Sequence, residues 1–119
     1  MRERWATLLL AGTLSACATT GNLASPYNLS DADRAAVAKT LFTALDKLDS
    51  PEYRFRGGQT SNGKIIVCGW VSDRGAYSDR LPFIGTLSGG LFVIDHLGNS
   101  YATRDYVLNE CKELGIPLN

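Results

Sequence analysis

The feature that most limits the folds open to this chain is an apolar run in its middle, from Lys64 to Val71. Ile65, Ile66, Val67, Cys68, Trp70 and Val71 are all apolar, and they fall on both parities of an extended chain. Turn residues precede the run at Gly57-Gly58 and Ser61-Asn62-Gly63. A near-continuous apolar run bounded in this way is typical of a central strand. The sequence therefore predicts a domain built around one sheet.

The segments around this run predict its neighbours in the sheet. Glu52–Arg56 alternates polar and aromatic residues, which favours a half-buried edge strand. Leu91–Asp95 predicts a third strand, and His96–Asn99 predicts a turn into a short strand over Ser100–Ala102. Leu81–Ile84 is apolar but contains a proline and precedes a glycine, so it receives no assignment. An antiparallel sheet of three to four strands is expected.

A helix is predicted before the sheet and another after it. Ser30 stands three residues before Asp33, which is a capping-box spacing, and the helix should end near Leu48. Its apolar positions recur at helical spacing at Val37, Ala38, Leu41, Leu45 and Leu48. Thr103 is the expected cap of the last helix, which Gly115 and Pro117 should stop. In that helix Val107, Leu108, Cys111 and Leu114 share one stripe. The fold class predicted is α+β.

The N-terminal segment combines a basic start, Met1-Arg2-Glu3-Arg4, with an apolar run from Trp5 to Thr13 and then Leu14-Ser15-Ala16-Cys17. The apolar run is too short to cross a bilayer as a permanent helix. The order resembles the type II signal peptide and lipobox of bacterial lipoproteins. The resemblance implies cleavage before Cys17, a diacylglyceryl group on its thiol and an acyl chain such as palmitate on the new amino terminus. An ordinary secretory signal followed by a chance cysteine is the alternative.

This interpretation divides the chain into three parts. Residues 1–16 would be a cleaved signal peptide, residues 17–28 a lipidated flexible tether, and residues 29–119 a single α+β domain. Lipidated Cys17 would hold the domain at the periplasmic face of a bacterial membrane. Ala18 stands where an Asp would resemble the inner-membrane retention signal of enteric lipoproteins. The outer membrane is therefore the favoured location.

With Cys17 assigned to lipid, Cys68 and Cys111 form an even pair. In an oxidising compartment such a pair in a small domain predicts one disulfide, although two buried free thiols would fit the same spacing. A disulfide between them would close a loop of about 43 residues and contribute about 4 kcal/mol to stability. Cys68 shares a strand face with Ile66 and Trp70, so the bridge would attach the last helix to that face.

Composition and motifs argue against several classes of function. The chain from Cys17 onward carries ten Lys and Arg against eleven Asp and Glu, and this neutral balance argues against a nucleic-acid partner. His96 is the one histidine, which argues against a metal site, and no nucleotide or hydrolase motif predicts a cofactor. A Cys–His nucleophile would need a thiol that the disulfide explains better. We expect no enzyme.

The best candidate for a contact surface is the polar loop after the central strand. Tyr77, Arg80 and Phe83 are the residues in and after this loop that we expect to contact a partner, because aromatic and arginine side chains carry much of the binding energy at interfaces. The alternative is a solvated loop whose Phe83 and Ile84 fold back into the core.

Part of the chain also resembles a small uncharacterised domain of proteobacterial and phage proteins. The residues that carry this resemblance are Leu48, Asp49, Pro51 and Phe55, the strand Cys68-Gly69-Trp70-Val71, then Tyr77 and Phe83. It implies a compact disulfide-linked domain and names no reaction. The sequence thus predicts a membrane-anchored envelope lipoprotein that acts as a binding or structural module, with another envelope protein as a partner. The alternative function is inhibition of a wall-degrading hydrolase such as lysozyme.

Overall fold

A computed structural model describes residues 23–45, 48–73 and 80–118. In chain order the elements of these residues are β1 (Ser25–Tyr27), α1 (Asp31–Ala44), β2 (Pro51–Gln59), β3 (Ile65–Asp73), β4 (Leu81–Ser88), β5 (Leu91–Leu97) and α2 (Tyr101–Glu113). The strands form one antiparallel sheet in the order β1-β2-β3-β4-β5. The predicted α+β fold with two helices, an antiparallel sheet and one disulfide is confirmed, with five strands where three to four were expected.

β3 lies at the centre of the sheet, as its apolar run predicts. It pairs with β2 along its whole length and with β4 from Ile65 to Val71. β1 pairs only with Gly57–Gln59, so among the described strands the first part of β2 has a neighbour on one side. The polar–aromatic alternation of Glu52–Arg56 therefore lies where the sheet is open at its edge.

The capping box of the first helix is present. The backbone N–H of Asp33 donates to Ser30 Oγ over 3.0 Å, and the N–H of Ser30 donates to an Asp33 carboxylate oxygen over 3.1 Å. The helix ends at Ala44, before the predicted end near Leu48. The Asp73 carboxylate accepts from the N–H groups of Asp49 and Ser50 at 3.0 and 2.9 Å. This contact from the end of β3 holds the chain in the turn that leads into β2.

The predicted tether over residues 17–28 is wrong for Ser25–Tyr27, which form β1. Short polar residues and a proline gave this segment no strand pattern. It is extended because β2 offers it a pairing edge, and Ala24 donates its N–H to Leu114 O over 2.9 Å. Cys17 lies outside the described residues.

Two segments after β3 also differ from expectation. The unassigned segment Leu81–Ile84 begins β4. Gly85 lies within this strand, and the ring of Phe92 fills the space that its missing side chain leaves. The short strand predicted over Ser100–Ala102 is wrong, because the last helix begins at Tyr101. Ser100 is its N-cap and Thr103 is the reciprocal partner, not the cap that the sequence predicts.

The core occupies both faces of the sheet, and each face is covered by one helix. The face toward α1, called the α1 face, centres on Phe83, whose ring meets those of Phe55 and Phe92 edge-on at 6.2 and 6.0 Å. Its other buried members are Leu29, Val37, Leu41, Val67 and Leu87. Tyr53 lies at the margin of this cluster, where burial raises the pKa of its hydroxyl.

The opposite face, called the α2 face, carries the disulfide. Cys68 and Cys111 are bonded with their Cα atoms 6.1 Å apart, and both are fully buried. Ile66, Ile84, Val107 and Ile116 pack around them. The predicted attachment of the last helix to the strand face of Ile66, Cys68 and Trp70 is confirmed. No helix among the described residues is long and apolar enough to cross a membrane.

Candidate functional site

An open groove of about 730 Å³ lies on the α2 face, between α2, β5 and the turn that joins β2 to β3. Its apolar lining comes from Ile66 of β3, Ile84 of β4 and Leu114 at the end of α2. The first two of these side chains are also members of the buried cluster around the disulfide. The polar groove, as we call it, is therefore built directly on the most constrained part of the domain.

One wall of the polar groove is aromatic. The rings of His96 on β5 and Tyr106 on α2 meet edge-on with their centroids 4.6 Å apart. Tyr106 is 45% exposed, so much of its ring remains available to a ligand. Aromatic side chains with an apolar face and a polar tip are common at binding sites.

The charged residues of the groove are mostly acidic. Asp95, Glu110 and Glu113 line it, and Lys64 is the basic residue beside them. One Asp95 carboxylate oxygen accepts a hydrogen bond from Thr86 Oγ1 over 2.7 Å, which fixes its position on the sheet. Three carboxylates against one lysine give the groove a negative balance. Such a rim complements a ligand that carries positive charge.

The opposite wall is a tight turn from Thr60 to Lys64. Thr60 donates its N–H to Lys64 O, and Gly63 donates to Thr60 O, both over 2.9 Å. The Thr60 hydroxyl also contacts the side chain of Asn62. Gly63 has a φ of 86°, a conformation that favours glycine. The turn is thus held by its own hydrogen bonds and presents Ser61 and Asn62 to the groove.

The position of His96 corrects the sequence interpretation, which placed it in a turn. β5 continues to Leu97, and His96 pairs with Ile84. An irregularity between Ile84 and Gly85 shifts the register of this pairing, and Asp95 falls at the shift. Both sulfurs that a Cys–His nucleophile would have needed are bonded to each other. Among the described residues, no group of three or more His, Cys, Asp or Glu side chains could hold a metal ion.

The predicted partner-binding loop is only partly described. Tyr77 lies outside the described residues. Phe83 is fully buried at the centre of the α1-face core, so its assignment to a contact surface is wrong. Arg80 is half-buried, with its guanidinium carbon 5.9 Å from the centre of the Trp70 ring.

Sequence reasoning missed the polar groove because four separate segments build it. Asp95, Glu110 and Glu113 carry no motif, and the contact between His96 and Tyr106 depends on how α2 crosses β5. Burial along β5 alternates from Leu91 to Asp95, but Asp95 and His96 are both exposed because the register shifts there. Strand periodicity therefore gave no signal for the groove.

No known protein family, no curated protein and no solved structure shows significant similarity to this chain. The resemblances of its N-terminus and of its central segment therefore stay predictions. Its function has to be inferred from the geometry of its own residues.

Proposed function

We propose that this chain is a lipid-anchored envelope protein that acts as a non-catalytic binding module, with the polar groove as its binding site. Lipidated Cys17 would hold it at the periplasmic face of the membrane, with the outer membrane favoured. The observation that carries the binding role is the open groove of about 730 Å³ beside the disulfide. Its volume lies in the range typical of ligand sites.

The chemistry of the groove favours a peptide segment of another envelope protein as its ligand. An apolar side chain of that segment would contact Ile66 and Ile84, and a lysine or arginine would lie between the carboxylates of Glu110 and Glu113. Tyr106 would contribute contact area at small entropic cost, because its side chain has few rotatable bonds. The disulfide supports this role by holding α2, which supplies one wall, on the sheet.

Short peptides test the groove. We expect Lys-Leu-Lys to shift the amide NMR signals of His96 and Tyr106 in the mature chain, and Glu-Leu-Glu to leave them unchanged. The double variant Glu110→Gln, Glu113→Gln should weaken binding of the basic peptide about 2- to 30-fold, because each exposed ion pair contributes about 0.2–1 kcal/mol.

Asp105→Asn is the matched control for this experiment. Asp105 is an exposed acid on α2 that does not line the groove, so its loss should leave the affinity unchanged. Equal shifts with the acidic peptide, or equal weakening by the control variant, would contradict the proposal. Micromolar mature chain is also expected to leave lysozyme activity unchanged, and inhibition would instead favour the alternative function.

Fatty-acid labelling tests the anchor separately. A bacterium that expresses the full chain and is fed an alkyne fatty acid should attach label to this protein, and Cys17→Ser should abolish the label because it removes the thiol that accepts the lipid. The control is the double variant Cys68→Ser, Cys111→Ser, which also replaces cysteine by serine but leaves Cys17 in place. It should keep the label. Label retained by Cys17→Ser would refute the anchor.

A further inference from the structure

Two arginines lie over the Trp70 ring on the α2 face, and two arginines of β2 lie beside them on the same face. We call this set the arginine patch: Arg54, Arg56, Trp70, Arg80 and Arg104. Arg54 pairs with Trp70 and Arg56 pairs with Cys68 across β2 and β3, so both arginines lie on the disulfide side of the sheet. The guanidinium carbons of Arg104 and Arg80 lie 5.3 and 5.9 Å from the centre of the Trp70 ring.

Hydrogen bonds hold two of these arginines in place. Arg56 Nη2 donates to Pro117 O over 2.8 Å, and Arg104 Nη1 donates to Arg80 O over 2.7 Å. Stacking on Trp70 adds a cation–π attraction to Arg104. The patch is therefore a preformed surface.

This part of the α2 face is open to solvent. α2 packs mainly over β4 and β5, and Arg54 and Arg56 on β2 are exposed. Glu52 is the acidic residue that shares their face of β2, so Arg54 and Arg56 leave this face of the strand with a net positive charge. A surface of this kind attracts an anionic partner.

The path of the chain indicates which anionic partner is near. Ala24 lies against Gly58, where an added Cβ would stand 2.8 Å from the Ala24 Cβ. Gly58 pairs with Ile66 of the polar groove and is two residues along β2 from Arg56, a separation of about 7 Å, so the N-terminal segment enters the domain between the two surfaces. Six residues separate Cys17 from Ala24, so the Cα of Cys17 can lie no more than about 25 Å from the Cα of Ala24. A lipid on Cys17 would hold the arginine patch close to the membrane.

We propose that the arginine patch docks onto the anionic phospholipid surface in which Cys17 is anchored, and so sets the orientation of the domain on the membrane. This inference rests on the proposed lipid anchor. Anionic headgroups attract arginines within about one Debye length of the surface.

Fluorescence of Trp70 gives a direct readout, because Trp5 and Trp70 are the two tryptophans of the chain. The full chain with Trp5→Phe is purified from the membrane in detergent and reconstituted into vesicles of phosphatidylcholine alone or with phosphatidylglycerol. Flotation measures anchoring, and acrylamide quenching of Trp70 measures docking. We expect flotation with both vesicles and reduced quenching only with phosphatidylglycerol.

Charge-removing variants distinguish docking by the arginine patch from attraction by the overall charge of the domain. Arg54→Gln should lower the docked-to-free ratio about fivefold, and Arg54→Gln with Arg56→Gln should lower it about 25-fold. The double variant Arg34→Gln, Lys39→Gln removes two charges from α1 on the opposite side of the sheet and should change nothing. Arg54→Gln removes no hydrogen bond that positions the patch. The single variant therefore tests docking even if the loss of Arg56 in the double variant disturbs the fold. Raising the salt to about 1 M should abolish the protection, because the Debye length falls to about 3 Å.

Each outcome has a definite meaning. Flotation with both vesicles but equal quenching would overturn docking and leave the anchor intact. Flotation only with phosphatidylglycerol, with Trp70 protected, would support docking and refute the anchor. Flotation with neither would overturn both. Protection of Trp70 by a polyglutamate peptide, without any lipid dependence, would overturn docking and indicate an acidic protein partner.

Discussion

Replacement of both Cys68 and Cys111 by alanine is expected to lower the free energy of unfolding by about 4 kcal/mol. The bridge closes a loop with a sequence separation of 43 residues, and its removal restores the conformational freedom of that loop in the unfolded chain. A loss of this size in a domain of about 100 residues corresponds to a fall in Tm on the order of 20 °C. Urea and thermal unfolding of the chain from Cys17 onward measure both quantities.

The third cysteine provides the control for this prediction. Cys17→Ser should leave the unfolding free energy unchanged, since Cys17 precedes the described domain. Reduction of the unmodified protein should reproduce the loss. A change below about 1 kcal/mol in the double alanine variant would show that the bridge contributes little, contrary to the chain-entropy argument.

Phe83→Ala is expected to cost about 3–5 kcal/mol of stability. The side chain is fully buried and its ring contacts those of Phe55 and Phe92, so truncation leaves a cavity at the centre of the α1-face core. Urea unfolding measures the loss. Phe83→Leu keeps much of the apolar volume and should cost about half as much or less.

Phe42→Ala is the matched control for Phe83→Ala. Phe42 is 51% exposed on α1, so the same chemical change there should cost much less. If Phe83→Ala and Phe42→Ala had similar effects, Phe83 would not be the core residue that the structure shows.

Local hydrogen bonding explains why some of the fold was predictable. The Ser30 and Asp33 capping box lies within four consecutive residues, so its pattern is complete in the sequence. The apolar run of β3 and the polar–aromatic alternation of Glu52–Arg56 are similar cases, because side-chain periodicity follows directly from strand geometry. The disulfide was predicted from the two cysteines that remain once Cys17 is assigned to lipid, and its location from the face that Cys68 shares with Ile66.

Other elements depend on partners that are distant in the sequence. β1 has no strand pattern and is extended only because Gly57–Gln59 offers it a pairing edge. β4 contains Pro82 and Gly85, and the ring of Phe92 compensates for the glycine. The same reasoning misassigned Ser100–Ala102, where a Ser–Thr capping box was read as part of a strand.

The candidate sites also differ in whether their residues are adjacent in the sequence or are brought together by the fold. Lipidation of Cys17 is predicted from contiguous residues, whereas the polar groove joins Lys64, Asp95, Tyr106 and Glu110 from separate elements. The arginine patch joins two arginines of β2 to Trp70 of β3 and Arg104 of α2. Neither surface has a sequence motif, because the spacing of its residues is set by strand register and helix packing.

The sequence by itself determined the α+β class, the central strand and the first helix cap, and it favoured the pairing of Cys68 with Cys111. These features arise from periodicity and from hydrogen bonds between near neighbours, or from the chemistry of a single pair. Only the tertiary structure decided the fifth strand, the burial of Phe83 and the two surfaces on the α2 face. Each of these depends on strand register, and a shift of one residue would turn every side chain of a strand to the other face.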